Sequence, residues 1–251
     1  MSFAEDVIRV IRSSMEKIQR PDLFRKPICG FSAADDPRYK ELKTVIGPWH
    51  CLPTELLPEA KTVISYYVPF TKEVAKAPKN GGNLALWAES YEVVNRAFDF
   101  VGEQVVHFLR ERGYQATGFA ATHTFDPKLL RSPWSHRSAA VISGLGTFGK
   151  NRMVITEKGS AGRFCTVFTS AEIPPTPMPE EEFCLFLKEG RCGLCVKACP
   201  ANVLAEDQWQ PFACYDHCLE NAAVLTSERN DFKDGDVCGR CIGVCPRRYM
   251  E

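Results

Sequence analysis

Six cysteines near the carboxyl end form two runs with the same spacing. The runs are Cys192-Gly-Leu-Cys195-Val-Lys-Ala-Cys199-Pro200 and Cys238-Gly-Arg-Cys241-Ile-Gly-Val-Cys245-Pro246. Each reads C-x2-C-x3-C-P, which is the end of the cysteine run of bacterial ferredoxins. In that pattern, cysteines with the x2 spacing bind one iron–sulfur cube and the cysteine before proline binds the other. The two runs therefore predict two 4Fe-4S clusters.

Each run has three cysteines where a full run has four, so two ligands must come from elsewhere. The missing leading positions are occupied by Glu189 and Gly235. The other cysteines in this region are Cys184, Cys214 and Cys218. Cys214 and Cys218 are four residues apart in a predicted helical turn, so both face the same way and only one need bind iron. We expect cluster A to be held by Cys184, Cys192, Cys195 and Cys245, and cluster B by Cys199, Cys238, Cys241 and one of Cys214 and Cys218, with Cys214 preferred.

Zinc and disulfide bonds are the two alternatives for these cysteines. Zinc also binds paired C-x2-C motifs. Zinc does not require a third cysteine followed by proline in both runs, however, so the pattern favours iron. The chain begins without the basic start and apolar core of a secretory signal, so we expect a cytoplasmic, reducing setting in which clustered cysteines are metal ligands.

Composition limits the remaining possibilities. The 251 residues are enough for one large domain and a small one, and 45% of them are hydrophobic, as in an ordinary globular protein. Thirty-one basic residues balance thirty-one acidic ones. A net charge of zero gives no strong signal for a nucleic-acid partner, and no apolar stretch is long enough to span a membrane.

A proline-rich segment divides the chain into two predicted domains. Residues 173–182 contain four prolines and three acidic residues, which predicts an extended linker. We therefore expect an α/β domain over residues 1–172 and a cysteine-rich domain over residues 183–251. Apolar spacing in the first domain predicts helices at about 3–19, 84–112 and 135–142 and strands at about 62–69 and 117–121. Residues 153–156 and 164–170 are predicted to pair as a hairpin around 158–162.

A glycine-rich segment, Ser143-Gly-Leu-Gly-Thr-Phe-Gly-Lys-Asn151, follows the third helix and precedes a predicted strand. Glycines permit positive φ and let a ligand approach the backbone, and a lysine can bind a phosphate or carboxylate. The order of elements is the reverse of that in a dinucleotide-binding fold. The residue pattern leaves two alternatives, a ligand-binding loop and a structural glycine turn. The candidate cofactor-binding residues are Gly144, Gly146, Gly149, Lys150 and Asn151.

This segment, the Val154-Ile-Thr strand after it and the double-cluster region together resemble epoxyqueuosine reductases and, more distantly, corrinoid-dependent reductive dehalogenases. The resemblance covers roughly residues 85–251. It implies a nitroreductase-like α/β domain that binds cobalamin, fused to a bacterial-ferredoxin-like domain with two 4Fe-4S clusters that reduce the corrinoid. It also favours Cys214 over Cys218, because the family has an isolated cluster ligand at the position of Cys214.

The chain departs from this family at the expected proton donor. The family has an aspartate about fourteen residues before the first loop glycine, and this position is Leu130 here. His136 is the nearest titratable candidate, because a histidine near its ordinary pKa is a workable acid at neutral pH. Asp126 and His123 lie further back. The family's Asp-Tyr-His segment is replaced by Ser90-Tyr91-Glu92.

Three functions are consistent with these observations. The first is a cobalamin-dependent reductase that acts on a small-molecule substrate. The second is an electron-transfer or reductive-activator protein that has two clusters, binds no corrinoid tightly and serves a separate corrinoid protein. The third is a binding module stabilised by zinc. For the first two, the low potentials of such clusters make a ferredoxin or a flavodoxin the expected electron donor.

Overall fold

A four-stranded antiparallel sheet forms the centre of the N-terminal part. The computed structural model describes residues 2–120, 125–205, 209–228, 232 and 235–251. The strands are β1 (Ile28–Ala33), β2 (Thr62–Pro69), β3 (Ala116–Phe119) and β6 (Gly162–Thr169), in the order β1-β2-β6-β3. Strand β2 pairs with β6 from Thr62 opposite Thr169 to Pro69 opposite Gly162. All eight residues of β2 are buried, because helices cover both faces of the sheet.

Helices pack on the two faces of the sheet and make an α/β/α sandwich. They are α1 (Phe3–Glu16), α2 (Pro37–Val45), α3 (Pro53–Leu56), α4 (Lys72–Lys76), α5 (Leu84–Arg110) and α6 (His136–Ile142), with a 3-10 turn at Lys79–Gly81. The apolar stripe of α5, which includes Val94, Phe98 and Val101, packs with α1 on one face. On the other face, Tyr39 of α2 and Ile142 of α6 pack near Trp134 and Phe168.

The predicted strand at 62–69 and the helix at about 84–112 are confirmed, but the predicted hairpin around 158–162 is wrong. Residues Val154–Thr156 form β5, which pairs with β4 (Gly146–Phe148) in a separate two-stranded sheet. Strand β6 pairs with β2 and β3 instead. A strand with apolar residues on both faces is typical of the centre of a sheet that is covered on both faces. Strand β6 has this position, between β2 and β3.

The described residues of the cysteine-rich region form four helices joined by irregular segments. Its helices are α7 (Leu185–Glu189), α8 (Leu194–Ala198), α9 (Pro211–Glu228) and α10 (Arg240–Gly243). Leu225, Val237 and Ile242 of this region belong to the same hydrophobic core as α5. The segment 173–182 is held against the sheet, where the backbone N–H of Thr176 donates to the carbonyl oxygen of Phe31 (2.9 Å). The two parts of the chain are therefore packed together.

No helix in the described part of the chain combines the length and the apolar character needed to cross a membrane.

Candidate iron–sulfur centre

Four cysteines from three separate segments line one cavity. Cys195 lies in α8, which begins after Gly193, a glycine with a φ of 83°. Cys184 and Cys195 are buried, whereas Cys192 is exposed. The cysteines of this cavity are Cys184, Cys192, Cys195 and Cys245, which is the set predicted for cluster A.

A second group of cysteines lies beside the first. Burial raises the pKa of Cys241, and the neighbouring thiols of Cys238 and Cys214 raise it further. Burial also raises the pKa of Cys238, with a smaller contribution from Cys199. These effects connect Cys199, Cys214, Cys238 and Cys241, the set predicted for cluster B, and they also include Cys195 of the first group, so the two groups are neighbours.

Cys214 and Cys218 lie one helical turn apart in α9, and their thiols are close enough for one to donate a hydrogen bond to the other. The assignment of Cys214, and not Cys218, to cluster B stays a prediction that rests on the resemblance described above.

The cysteines of this cavity supply the donor set of a 4Fe-4S cluster. Among the described residues, no three histidine, cysteine, aspartate or glutamate side chains are grouped closely enough to hold a single metal ion. A tetrahedral zinc site needs four sulfur atoms at about 2.3 Å from one point, whereas a four-iron cube takes one thiolate at each iron. The four thiols around this cavity therefore fit a 4Fe-4S cluster in type and number.

The glycines of residues 143–151 are covered by other backbone atoms of the chain. A Cβ on Gly144, which has a φ of 75°, would lie 2.5 Å from the carbonyl oxygen of Pro177. A Cβ on Gly146 would lie 2.2 Å from the carbonyl oxygen of Ile155, and one on Gly149 would lie 2.9 Å from the side chain of Asn151. These glycines permit close packing within the protein, which favours the structural turn over the ligand-binding loop.

The polar groups at the end of this segment contact two cysteines that are predicted cluster ligands. The backbone N–H of Lys150 donates to Sγ of Cys184 (3.5 Å). The side-chain amide of Asn151 donates to the carbonyl oxygen of Cys241 (3.4 Å). The five residues predicted to bind a corrinoid therefore hold the glycine segment together and connect it to both cysteine groups.

Two residues that the sequence did not single out position Cys184. The backbone N–H of Cys184 donates to Oε1 of Glu182 (2.9 Å), and the hydroxyl of Thr147 donates to the same oxygen. Thr147 Oγ1 also accepts from the backbone N–H of Phe183 (3.2 Å). Strand β4 thus fixes Cys184, the residue predicted to be the isolated ligand of cluster A. The nearest sequence signal is the position of Glu182 two residues before Cys184.

Solved structures with the same fold are reductases. The structure of epoxyqueuosine reductase from Streptococcus thermophilus has a TM-score of 0.60 and 19% identity, over 100% of this chain and 68% of that chain. The chain has the epoxyqueuosine reductase fold. A catabolic reductive dehalogenase in complex with 3-bromo-4-hydroxybenzoic acid has a TM-score of 0.51 and 15% identity, over 74% of this chain and 25% of that chain. No protein-family profile and no curated protein matches the chain.

The epoxyqueuosine reductase fold also occurs in complex with RNA. One such enzyme was solved with a tRNA-Tyr stem loop that carries epoxyqueuosine, at a TM-score of 0.51, 18% identity and coverage of 96% of this chain and 65% of that chain. The net charge of zero gave no strong signal for a nucleic-acid partner. The complex of that enzyme shows that the fold is compatible with an RNA ligand, so net charge alone does not exclude one.

His136 begins α6 and contacts the sheet. Its Nδ1 lies 2.8 Å from Oγ1 of Thr166. Desolvation, followed by the charge of Arg163, lowers the pKa of His136 to about 3. The imidazole is therefore neutral at neutral pH, which differs from the near-ordinary pKa on which its candidacy as a proton donor was based. A role for His136 in proton transfer stays a prediction. In that role the ring would start in its neutral form.

The structure gives no further support to the other two candidate proton donors, Asp126 and His123. Asp126 is exposed, and its carboxylate accepts from the backbone N–H groups of Lys128 (2.9 Å) and Leu129 (3.1 Å), which explains its place in a turn. His123 lies outside the described residues.

The lowered pKa of His136 predicts a loss of stability in acid. Between the unfolded pKa of 6.5 and the folded pKa of about 3, the unfolded chain binds a proton that the folded chain does not. Stability is therefore complete above pH 6.5 and falls as the pH falls. Since His136 as a whole residue is only half-buried, we expect at most about 1 kcal/mol from it over the first pH unit. Denaturant unfolding of wild type and His136→Gln should show a smaller acid dependence in the variant, and parallel curves would contradict the shift.

Proposed function

We propose that this protein is an iron–sulfur reductase with two 4Fe-4S clusters. Cluster A is held by Cys184, Cys192, Cys195 and Cys245, and cluster B by Cys199, Cys214, Cys238 and Cys241. The observation that carries the proposal is the cavity in which Cys184, the first run and the last cysteine of the second run meet. Cys245 follows Cys192 by fifty-three positions in the sequence, so the two cysteines are brought together by the fold and not by a short motif.

The surrounding residues fix and desolvate the thiolates. Glu182 and Thr147 orient Cys184, and the backbone N–H of Lys150 donates to its sulfur. Hydrogen bonds to sulfur and burial are the main means by which a protein tunes the potential of a cluster. The clusters, when bound, would supply one-electron transfer. A reducing cytoplasm and a low-potential donor such as a ferredoxin or a flavodoxin suit this chemistry, and both are part of the proposal.

A cobalamin-dependent reductase is the second candidate, supported by the fold shared with epoxyqueuosine reductases and the dehalogenase. Gly144, Gly146 and Gly149 are covered by protein atoms, and Lys150 and Asn151 contact the cysteine groups. A corrinoid lying directly on these residues does not fit this structure. The same contacts support an electron-transfer protein without a tightly bound corrinoid, so we derive no step through cobalamin.

One anaerobic titration tests the reductase and separates the two candidates. We expect the purified protein to take up one electron per cluster from dithionite, with bleaching of its visible absorbance. Cobalamin is then added to the oxidised and to the reduced protein. A saturable shift of the cobalamin spectrum would support the corrinoid-dependent candidate, and no shift in either state would support the electron-transfer protein. Protein that accepts no electrons would contradict both.

A further inference from the structure

The cavity predicted to hold cluster A reaches the protein surface at Cys192. All twelve cysteines lie in the described part of the chain, and Cys192 is the one that is exposed. Phe186 and Leu194 line the same cavity. Leu194 is 45% exposed, and Leu187, which follows Phe186 in α7, is 51% exposed. Two large apolar side chains therefore face solvent beside the cavity.

The segment that carries these residues is basic. Residues 184–200 contain three basic residues and one acidic residue. Arg191 directly precedes Cys192, and Lys197 lies three residues after Leu194 in α8, a spacing that makes two residues neighbours on a helix surface. Arg191 and Lys197 are exposed, and neither has an ion-pair partner among the residues that the structure describes. We refer to four of these residues as the Cys192 surface: Leu187, Arg191, Leu194 and Lys197.

The other charges around the cavity leave the Cys192 surface positive. Lys188 is paired with Glu181, so these two charges cancel. Glu189 is exposed and acidic. Lys150 and Arg247 line the cavity, where they can balance the negative charge of a bound cluster. Outside the cavity, the basic residues of this surface still outnumber the acidic one.

A second exposed apolar surface, on α9, has the opposite charge. Phe212, Leu219 and Val224 of this helix are exposed. Residues 201–228, which include α9, contain five acidic residues and no basic one. Complementary charges attract a protein partner, and like charges repel it. An acidic partner is therefore attracted to the Cys192 surface and repelled by α9.

An electron carrier fits the Cys192 surface better than a partner that binds permanently. Complexes that transfer electrons bury little area, and charges steer the encounter of the two proteins. The redox centre of the carrier has to come close to the acceptor. Because Cys192 is exposed, a cluster bound to it is reached from solvent at this point.

We propose that Leu187, Arg191, Leu194 and Lys197 form the docking surface for an acidic one-electron carrier protein, which reduces cluster A. The reduced centre of the carrier loses one electron, cluster A gains it, and no proton or atom is transferred. The proposal rests on the proposed function, because it names the partner of the same cysteine site and the place where that partner binds.

A calorimetric titration tests the docking without turnover. The iron-loaded, oxidised protein is titrated with an oxidised, acidic 2Fe-2S ferredoxin. We expect one ferredoxin to bind per chain, with an affinity that decreases as salt is added. Arg191→Glu should weaken binding about tenfold or more at low salt, because it reverses a charge at the interface. Leu187→Ser should weaken it about threefold or more, because less apolar area is buried.

Each variant has a matched control. Arg112→Glu reverses the charge of an exposed arginine that stacks on Phe108 of α5 (3.7 Å from the ring centre). Leu219→Ser removes a leucine that is 44% exposed, but on the acidic surface of α9. Both controls should bind the ferredoxin as wild type does. If Arg191→Glu lowers the iron content, Lys197→Glu replaces it as the charge variant.

Stopped-flow reduction by the reduced ferredoxin measures delivery of the electron. At low salt, Arg191→Glu should slow the second-order phase about tenfold, and the difference should vanish at about 1 M salt, where charges are screened within about 3 Å. A redox titration of the same variant should give the cluster potentials of wild type. Slower reduction with shifted potentials and unchanged affinity would overturn the docking surface and assign Arg191 to tuning of the cluster.

The remaining outcomes separate the docking surface from the proposed function. Equal affinities of wild type, the charge variant and Leu187→Ser would overturn the docking surface. A greater loss in Leu219→Ser than in Leu187→Ser would also overturn it and would place the carrier on α9. Clusters that dithionite reduces in a protein that binds no ferredoxin would overturn the docking surface and leave the proposed function intact. Ferredoxin binding that depends on Arg191 in folded protein without iron would support the docking surface and contradict the proposed function.

Discussion

Replacement of Cys184 by alanine is expected to lower the iron content from about eight to about four atoms per chain. Cys184 is the ligand of cluster A that lies outside both runs, and it lines the same cavity as Cys192 and Cys195. Removal of the Cys184 thiolate leaves a cube with three protein ligands. One of these, Cys192, is exposed, so solvent can reach the cube and we expect it to be lost. Cluster B shares no ligand with this site and should remain. Metal analysis and spin quantification of the reduced variant measure the loss.

Cys218→Ala is the matched control for this experiment. Cys218 is also a cysteine of the C-terminal region, and in the proposed arrangement its thiol donates to the Cys214 thiolate and ligates neither cluster. We expect this variant to keep about eight iron atoms. The loss of the hydrogen bond to a ligand sulfur should move the potential of cluster B to a more negative value. If Cys218→Ala loses half of the iron and Cys214→Ala does not, the two cysteines have been assigned in the wrong order.

Gly243→Ala is expected to destabilise the protein by about 1–3 kcal/mol through overpacking. Gly243 ends α10, and a Cβ there would lie 2.6 Å from the backbone nitrogen of Lys79 and 3.0 Å from its Cα. The 3-10 turn and α10 would have to separate. Because Ile242 beside it belongs to the core of α5, the separation would also disturb that core. The midpoint of denaturant unfolding of the iron-loaded protein measures the effect.

Gly118→Ala provides the comparison for the glycine variant. Gly118 lies in β3, and a Cβ at this position would have no atom within 4 Å. Alanine there should change the unfolding midpoint little, or raise it slightly, because alanine restricts the unfolded chain more than glycine does. Equal midpoints for Gly243→Ala and wild type would mean that the cysteine-rich region does not pack against residues 78–81 as described.

Most of the long elements could be predicted because their signals are local. The apolar stripe of α5 has a regular helical spacing, and the run Thr62–Pro69 is rich in β-branched and aromatic residues and ends at proline. The pairing of the strands could not be predicted, because paired strands are distant in sequence. Residues 154–156 and 162–169 are close in sequence, yet β6 pairs with β2, more than ninety residues away. The apolar pattern shows that a strand is buried but does not specify its partners.

The spacing of the two cysteine runs predicts which cysteines share a cluster, since ligand spacing is a property of the cluster itself. The cysteines predicted for cluster A line one cavity, and their role as ligands stays a prediction. The role of residues 143–151 could not be predicted. Glycine allows close approach, but the sequence does not show whether a ligand or another part of the chain approaches. The atoms that do so here belong to Pro177 and Ile155, and the former lies in the proline-rich segment. The contribution of Glu182 to Cys184 likewise depends on Thr147, thirty-five residues away.

Iron and acid-labile sulfide, measured per chain in protein purified without oxygen, test the central claim most directly. The structure predicts about eight of each, because eight cysteines in two groups can hold two four-iron cubes. The oxidised protein should be brown and should bleach on reduction. Stoichiometric zinc with no sulfide, in colourless and fully folded protein, would contradict the claim and would leave the cysteines as a structural metal site.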